Sequence, residues 1–449
     1  MKKIQQFVTF AFLFAISFSP SSLLVSQTTA TEDTWTTMAS MPTPRPWVEV
    51  AVVNEKIYAI GGSYDEHGEV EEYDPITNSW SKKTPMPTPR ILFGIAVIGN
   101  KIYTMGGDSG NWEVGQRITN VVEVYDPLTD KWETKSPMPT KRMAFSASVI
   151  NGKIYIIGGQ VSEPAYNSVL QTEVYDPETD TWTTAAPIPV PVGYHASVVL
   201  DGKIYILGGS TRTEVSASLN QIYDPETNSW SNGTAMPFGV DSAAAGATTG
   251  ILSPKRIYVL GGKKNLDAVN LNQIYDPKTD TWTLGAPMPT ARYGLGVAVV
   301  DDMLYAVGGR EGWIGAPITG ANERYTPIGI GKAPLKIGII SPKNETYNVE
   351  NVSLTFIVTE ATSWIGYSLD GQVNVTIAGN TTLTGLPDGA HSLTIYANDT
   401  AENSRASETR YFSIKTQQSE LSPLWIMITI AVVVVAGAAY LIYLKKLNR

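Results

Sequence analysis

A pair of glycines recurs six times along this chain, about every 50 residues. Each pair closes a short apolar run rich in β-branched and aromatic residues, such as KIYAIGG, KIYIIGG and RIYVLGG. Runs of this composition predict β-strands, so the repeat indicates a fold built from several similar β-units. The glycines are Gly61, Gly62, Gly106, Gly107, Gly158, Gly159, Gly208, Gly209, Gly261, Gly262, Gly308 and Gly309.

A tyrosine and a tryptophan flank a turn downstream of the first five glycine pairs, as in VYDPETDTW. Asp-Pro starts a turn, because Asp bonds the following backbone and Pro presets φ, and the later Asn or Asp tolerates left-handed geometry. This segment predicts a β-hairpin, and a second tight turn precedes each glycine pair. Four strands per repeat result, which we call A to D in chain order. The strand D tryptophans are Trp80, Trp132, Trp182, Trp230 and Trp282.

These glycines, tyrosines and tryptophans resemble the Kelch family over residues 32–330. The resemblance implies a β-propeller with blades around a central channel. The sixth repeat ends at Tyr325 with no tryptophan after it, whereas Trp35 precedes the first repeat in DTWTTMASMP, which matches the later DTWTLGAPMP. We therefore expect an all-β, six-bladed Kelch-type propeller, residues 31–330, in which an N-terminal strand supplies strand D of blade six.

The two ends of the chain predict export and anchoring. Residues 1–30 begin with lysines, continue as an apolar run and end in small polar residues, the pattern of a signal peptide. The run 424–444 has no charged side chain and is long enough to cross a bilayer core of ~30 Å. A buried core helix is the alternative, for which an all-β body offers no obvious place. Basic residues in the tail, 445–449, predict a single-pass plasma-membrane protein with its bulk outside the cell.

A second exterior module is expected at residues 335–415, joined to the membrane helix by a linker at 416–423. Alternating patterns such as VSLTFIV predict a small antiparallel β-sandwich. Its YSLDG and LPDGAHSLTIYANDTAEN segments resemble bacterial or archaeal immunoglobulin-like modules, which usually act as spacers. Six Asn-x-Ser/Thr sequons are either glycosylation sites or ordinary exposed β-surface residues. One lies in the propeller, at Asn232, and five lie in this module, at Asn344, Asn351, Asn374, Asn380 and Asn398.

Composition excludes several functions. The chain has no cysteine, so disulfides, thiol chemistry and thiolate metal sites are absent. The copper chemistry of galactose oxidases, which share the Kelch propeller, is excluded with them because it needs a cysteine-crosslinked tyrosine. The formal net charge of -9 argues against nucleic acid as a partner. We expect no metal and no cofactor.

The B–C and D–A loops lie on one face of an antiparallel propeller, and the B–C loops vary in length and content, as is typical of a binding surface. Four arginines at equivalent D–A positions either clamp carboxylates of a ligand or stabilise the fold by binding carbonyls. The resemblance to Kelch substrate adaptors, in which arginines of comparable loops help line the peptide pocket, implies the first role. Two loop tryptophans either stack on a ligand or pin their own loops. The candidate ligand-binding residues are Arg45, Arg90, Arg142, Arg292, Tyr194, His195, Trp112, Trp313, Asp108 and Glu311.

We therefore expect a surface-anchored recognition module for protein or glycan ligands, with no catalytic residue assigned. The alternative is a sugar mutarotase resembling the N-acetylneuraminate epimerases, which needs an acid–base pair and an arginine. Glu311, Asp108 and His195 are candidates for that pair, although spacing brings no two together. A deep funnel where a carboxylate and two arginines converge would favour the enzyme, and a shallow rim dominated by Trp112 and Trp313 would favour binding.

Overall fold

The structure is a computed structural model that describes residues 31–62, 68–110, 115, 117–161, 168–312, 315–330, 335–399, 404–416 and 434–440. Within these residues the first 300 or so form six four-stranded antiparallel sheets, each with strands in the order A-B-C-D. Blade one has Glu49–Val53, Lys56–Ile60, Val70–Asp74 and Ser79–Lys82. Blade two has Gly94–Ile98, Lys101–Met105, Val122–Asp126 and Lys131–Lys135. Blade three has Ser146–Ile150, Lys153–Ile157, Thr172–Asp176 and Thr181–Ala185.

The other three blades repeat this order, and blade five adds a small hairpin in its B–C loop. Blade four has Ala196–Leu200, Lys203–Leu207, Asn220–Asp224 and Ser229–Asn232. Blade five has Ala244–Ala247, Ile257–Leu260, Asn272–Asp276 and Thr281–Leu284, with the hairpin Lys263–Lys264 and Asp267–Ala268. Blade six has Gly296–Val300, Met303–Val307 and Asn322–Thr326, and takes Thr34–Thr37 as its strand D.

The ring closes as the sequence predicts. Strand A of each blade contacts strand A of the next, and that of blade six contacts that of blade one. The N-terminal strand pairs antiparallel with Asn322–Thr326, with Trp35 opposite Tyr325. The prediction that an N-terminal strand completes blade six is therefore confirmed.

The glycine pairs allow neighbouring blades to approach each other closely. At Gly61 φ is +59°, and a β-carbon there would lie 2.6 Å from the ring of Phe93 and 2.8 Å from the carbonyl oxygen of Arg90, both in the next repeat. Only glycine accepts this backbone conformation and this spacing without strain. Phe93 then packs with buried side chains of blade one such as Tyr58 and Ile60. Cores of this kind between adjacent blades hold the propeller together.

The second module contains two sheets around one apolar core. The first sheet is formed by Ile337–Ser341, Val352–Val358 and Thr381–Leu383. The second is formed by Thr346–Tyr347, Arg410–Ile414, Gly389–Asp399, Thr362–Leu369 and Val375–Thr376, with Ser404–Ala406 along Gly389–Asp399. Both sheets contribute buried residues, for example Leu354 and Leu393. A small β-sandwich is therefore present, and its immunoglobulin-like character stays a prediction.

This module contacts the propeller on the face that carries the A–B and C–D turns. Lys336 forms ion pairs with Asp301 and with Glu55, which lie in the A–B turns of blades six and one. Gly338 lies against Ile76 in the C–D turn of blade one. The face that carries the B–C and D–A loops, which we call the open face, is the opposite one.

Several predicted segments fall outside the described residues. They are the signal peptide at 1–30, most of the linker at 416–423, the tail at 445–449, and all of the predicted membrane helix at 424–444 except 434–440, which is helical. Across the described ranges, no helix has both the length and the apolar character required to cross a membrane.

Candidate functional site

The four repeated arginines lie inside the blades and not on the open face. Each is at most 3% exposed and forms an ion pair with a glutamate in strand C of its own blade. The pairs are Arg45–Glu71 at 2.5 Å, Arg90–Glu123 at 2.6 Å, Arg142–Glu173 at 3.0 Å and Arg292–Glu323 at 2.6 Å. Other N–H groups donate to backbone carbonyls, such as that of Ala59 for Arg45. Their interpretation as ligand clamps is corrected, because a surface ligand cannot reach them and they stabilise the fold.

Two blades replace this charged unit with a neutral one. In blade three the hydroxyl of Thr140 also donates to Glu173, so Thr140, Arg142 and Glu173 form one buried unit. The equivalent residues are Val190, Val192 and Gln221 in blade four, and Phe238, Val240 and Gln273 in blade five. The Gln221 amide bonds the backbone N–H and carbonyl of Val190 at 2.9 and 3.1 Å. The three positions change together, as expected when removing one partner would leave a buried charge unpaired.

The six D–A loops meet at the centre of the open face in a ring of backbone hydrogen bonds. One residue in each loop has φ between 54° and 59°: Trp47, Leu92, Ala144, Tyr194, Ser242 and Gly294. The N–H of Trp47 donates to the carbonyl of Gly294 at 2.7 Å, and four similar bonds of 2.8 to 2.9 Å continue around the ring. Non-glycine residues rarely adopt this conformation, because the β-carbon crowds the backbone. The ring places six different residues around the mouth of the channel.

Aromatic side chains gather at this mouth. The ring of Trp47 lies 5.9 Å from that of Tyr194 and 5.6 Å from that of Tyr293, and the Lys263 ammonium lies 5.1 Å from the centre of the Tyr293 ring. A β-carbon at Gly294 would approach the indole to 3.0 Å, so the glycine lets Trp47 lie across the loop. Trp47, Tyr194 and Lys263 are half-buried. We call Trp47, Tyr194, Tyr293 and Lys263 the central patch.

Asp241 fixes the edge of the central patch. It is 2% exposed, accepts hydrogen bonds from the hydroxyls of Ser216 at 2.9 Å and Ser242 at 2.7 Å, and pairs with the Lys263 ammonium at 3.2 Å. A buried carboxylate is costly unless it is bonded in this way. Ser216 belongs to the B–C loop of blade four, so Asp241 fastens the loops of two blades and orients Lys263.

His195 follows Tyr194 in sequence but lies deeper. It is 8% exposed, and its Nε2 lies 3.0 Å from the hydroxyl oxygen of Ser146. Burial lowers the pKa of His195 to about 4, so the imidazole is neutral at physiological pH. Of this predicted pair, Tyr194 faces the mouth and His195 lines the channel behind it.

The other candidates do not join the central patch. Asp108 is 6% exposed and accepts hydrogen bonds from the backbone N–H groups of Gly110 and Arg117 at 2.9 and 2.7 Å, so it shapes its own loop. Glu311 is exposed in the B–C loop of blade six. Trp112 and Trp313 lie outside the described residues, and their role in binding stays a prediction.

The arrangement expected for a mutarotase is not formed by these candidates. Each repeated arginine is committed to its own glutamate, Asp108 is bonded to backbone, and His195 is neutral and buried. The open face instead presents the aromatic rings of the central patch at the channel mouth. Sequence reasoning missed Trp47, Tyr293 and Lys263, and one signal could have found Trp47. Its repeat position carries a different residue type in each of the six blades.

The sequon asparagines differ in what their side chains do. Within the described residues, three of them form no side-chain hydrogen bond: Asn232, Asn344 and Asn374, which are exposed, as Asn351 and Asn380 also are. In the other three the side-chain oxygen accepts a hydrogen bond: from Gly385 for Asn351, Phe356 for Asn380 and Ser404 for Asn398. Glycosylation stays a prediction, and the first three sites fit it better because their amides are not used in the fold.

Comparisons with known protein families match the repeat region. Residues 93–309 match the model described as KLHDC2/KLHL20/DRC7 Kelch-repeats domain, and residues 47–87 match the model described as Kelch motif. Kelch-like protein 15 of Danio rerio is 29% identical over 187 residues, which is 42% of this chain and 25% of that protein. Beta-scruin of Limulus polyphemus is 28% identical over 131 residues, 28% of this chain and 14% of that protein. The chain therefore spans a quarter or less of the length of these curated relatives.

One solved structure has a similar fold over most of the propeller. The structure titled "Structure of YjhT" superposes with a TM-score of 0.54 and 19% sequence identity, covering 63% of this chain and 96% of that chain. At this identity the match supports a shared fold and nothing finer.

Proposed function

We propose, from the premise that the chain carries Kelch repeats on a Kelch-type propeller, that it is a binding module that presents the central patch to a protein ligand outside the cell. Kelch-repeat propellers typically serve as protein-binding modules. The observation that carries the proposal is that repeated and non-repeated residues have different positions and roles. The repeated Arg, Glu, Tyr and Trp residues stabilise the blades, whereas the residues that differ between blades collect at the mouth of the open face.

The composition of the central patch suits protein recognition. Partly buried aromatic rings provide large contact area at low entropic cost, and tryptophan, tyrosine and cationic side chains dominate the binding energy of many interfaces. Trp47 and Tyr194 are already packed against each other, so little ordering is needed when a ligand binds. The position of Lys263 between Asp241 and Tyr293 offers a charge-assisted donor at the edge of the apolar surface.

The arrangement of the two modules supports the choice of face. The β-sandwich contacts the A–B and C–D turns through Lys336 and Gly338, so it covers part of the face opposite the central patch. We propose that the apolar run 424–444 anchors the chain in the plasma membrane and that the β-sandwich acts as a spacer. The open face would then point away from the membrane.

The test uses the full-length protein in detergent micelles, applied to arrays of peptides and of glycans. Trp47→Ala and Tyr194→Ala are expected to weaken every detected peptide interaction at least tenfold. Ala144 occupies the equivalent ring position with φ of 54°, so alanine fits this backbone. The matched control is Leu128→Ala, which removes a side chain that is 93% exposed in the C–D turn of blade two.

The proposal would be contradicted by a peptide ligand that binds both patch variants as tightly as the unmodified protein. A loss of binding in Leu128→Ala alone would place the site on the other face. Binding to glycans and to no peptide would replace the protein ligand with a carbohydrate.

A further inference from the structure

The central channel contains a cavity of about 200 Å³ behind the central patch. The first residue of strand A in every blade lines it. Five of these six residues are small: Gly94, Ser146, Ala196, Ala244 and Gly296. The sixth is Glu49, in blade one. The same position of the repeat therefore places one carboxylate opposite a wall without long side chains.

Hydrocarbon side chains form another part of the lining. Val50, Ile95 and Val297 follow in the next position of strand A, and Phe93 and Phe145 precede it. Burial raises the pKa of Glu49 to about 8, with no charged neighbour contributing.

The channel supplies no cation to balance this carboxylate. Within the described part of the chain, no hydrogen bond or ion pair joins Glu49 to a protein donor. The other titratable group that lines the cavity is His195, which burial keeps neutral, since its pKa is lowered to about 4. Glu49 is half-buried, and a partly desolvated carboxylate is favoured as the neutral acid or beside a counter-charge. The cavity next to Glu49 is large enough to admit such a partner.

We propose that this cavity binds a small primary ammonium cation, with Glu49 as its counter-ion. A multidentate metal site is not available, because among the described residues no three His, Cys, Asp or Glu side chains are grouped as a metal ion requires. An alkylammonium ion needs one carboxylate for its charge, hydroxyl or carbonyl acceptors for its remaining N–H groups, and apolar walls for its carbon chain. Glu49, the Ser146 and Ser197 hydroxyls, and side chains such as Val50 and Ile95 provide these features.

The test is calorimetric titration of the full-length protein in micelles with methylammonium and propylammonium chloride at pH 7 and pH 9. Binding is expected at one site per chain and about ninefold tighter at pH 9, because the ionised fraction of Glu49 rises from about a tenth to about nine tenths while the amine stays protonated. Glu49→Gln keeps the side-chain shape and is expected to abolish binding. Ala244→Val keeps the carboxylate, narrows the cavity and is expected to weaken binding at least tenfold.

Glu311→Gln is the matched control, since it removes an exposed carboxylate on the open face and is expected to leave affinity unchanged. Thermal unfolding of each variant checks that the fold is retained. Tetramethylammonium and potassium chloride are the control salts, and neither should bind, because neither donates N–H bonds. Absence of saturable amine binding, unchanged binding in Glu49→Gln, or equal binding of tetramethylammonium would each overturn the proposal. If Glu49 titrates with a midpoint near 8 and propylammonium does not lower that midpoint, Glu49 exchanges only a proton and does not bind the amine, which also overturns the proposal.

Discussion

The carboxylate of Asp33 accepts a hydrogen bond from the hydroxyl of Tyr325 at 2.7 Å, across 292 residues of sequence. Asp33 also accepts from the backbone N–H of Ala286 at 2.6 Å, and the Trp35 indole donates to the carbonyl of Ala286 at 2.8 Å. These contacts tie the N-terminal strand to blades five and six at once. They are the contacts that every other blade makes within the continuous chain.

Blade three shows the same arrangement without a chain end. Asp180 accepts from the Tyr175 hydroxyl at 2.5 Å and from the N–H of Ser136 at 3.0 Å, and Trp182 donates to the carbonyl of Ser136 at 3.2 Å. Blade three is therefore an internal reference for the energetics of the closure.

Trp35→Ala should release the N-terminal strand. Losing a packed tryptophan costs about 3–5 kcal/mol, and no hairpin turn joins the strand Thr34–Thr37 to its partner strand, because the two are far apart in sequence. Amide hydrogen exchange is therefore expected to accelerate in Thr34–Thr37 and in its partner strand Asn322–Thr326. Trp182→Ala is the control, because a short turn joins its strand, Thr181–Ala185, to the partner strand Thr172–Asp176. Equal acceleration in both blades would show that this covalent link does not matter.

Arg142→Val should destabilise the propeller by about 3–5 kcal/mol, because it leaves Glu173 buried without its cation. The triple variant Thr140→Val, Arg142→Val and Glu173→Gln recreates the neutral unit of blade four, so its unfolding free energy should return to within about 1–2 kcal/mol of the unmodified protein. Denaturant unfolding of the full-length protein followed by tryptophan fluorescence measures both. If the triple variant is no more stable than the single one, the three residues do not act as a unit.

Glu49 should make the propeller less stable as pH rises. Its pKa is raised from 4.5 to about 8 on folding, so the folded state binds more protons between these values. The stabilisation is complete below about pH 4.5 and is lost progressively up to about pH 8. Its size is on the order of a few kcal/mol. The unfolding free energies of Glu49→Gln and of the unmodified protein are compared in amine-free buffer from pH 5 to 9. Their difference gives the contribution of Glu49 ionisation to stability. Parallel pH profiles for the two proteins would contradict it.

His391 should hold its second proton to a higher pH in the folded β-sandwich than in the unfolded chain. It is 5% exposed, with Nδ1 2.8 Å from the Asp370 carboxylate and Nε2 2.9 Å from the Pro387 carbonyl, so both nitrogens face acceptors. Burial opposes the charge, but the hydrogen bonds to Pro387 and Asp370 raise the pKa of His391 overall. Its contribution to stability is then present below the unfolded value of about 6.5 and is lost as pH rises through the folded value.

Nitrogen chemical shifts of His391 followed through a pH titration measure this pKa directly. Asp370→Asn is expected to lower the pKa of His391 and to flatten the pH dependence of unfolding. Asp388→Asn is the control, because Asp388 bonds Thr416 and not the imidazole. A titration midpoint at or below the unfolded value in the unmodified protein would refute the assignment.

In the β-sandwich, a side-chain hydrogen bond joins the two segments that resemble immunoglobulin-like modules. The YSLDG and LPDGAHSL segments carry the family likeness, and the structure brings Asp370 of the first to His391 of the second. The likeness alone does not predict that bond, because Asp370 follows one strand and His391 lies on the neighbouring strand, and packing decides the register between the two.

The blades and their closure followed from the sequence by itself, because their determinants are local and repeated. Turn residues, glycine pairs and the spacing of Tyr and Trp act within one repeat, and counting repeats assigned Trp35 to the incomplete blade. Only the tertiary structure decided that Arg45 is buried beside a glutamate. It alone also decided that Trp47, Tyr293 and Glu49 converge on the channel. An arginine exposed on a loop and one paired with a buried glutamate have the same local sequence, and only the closed ring brings single residues of different blades to one axis.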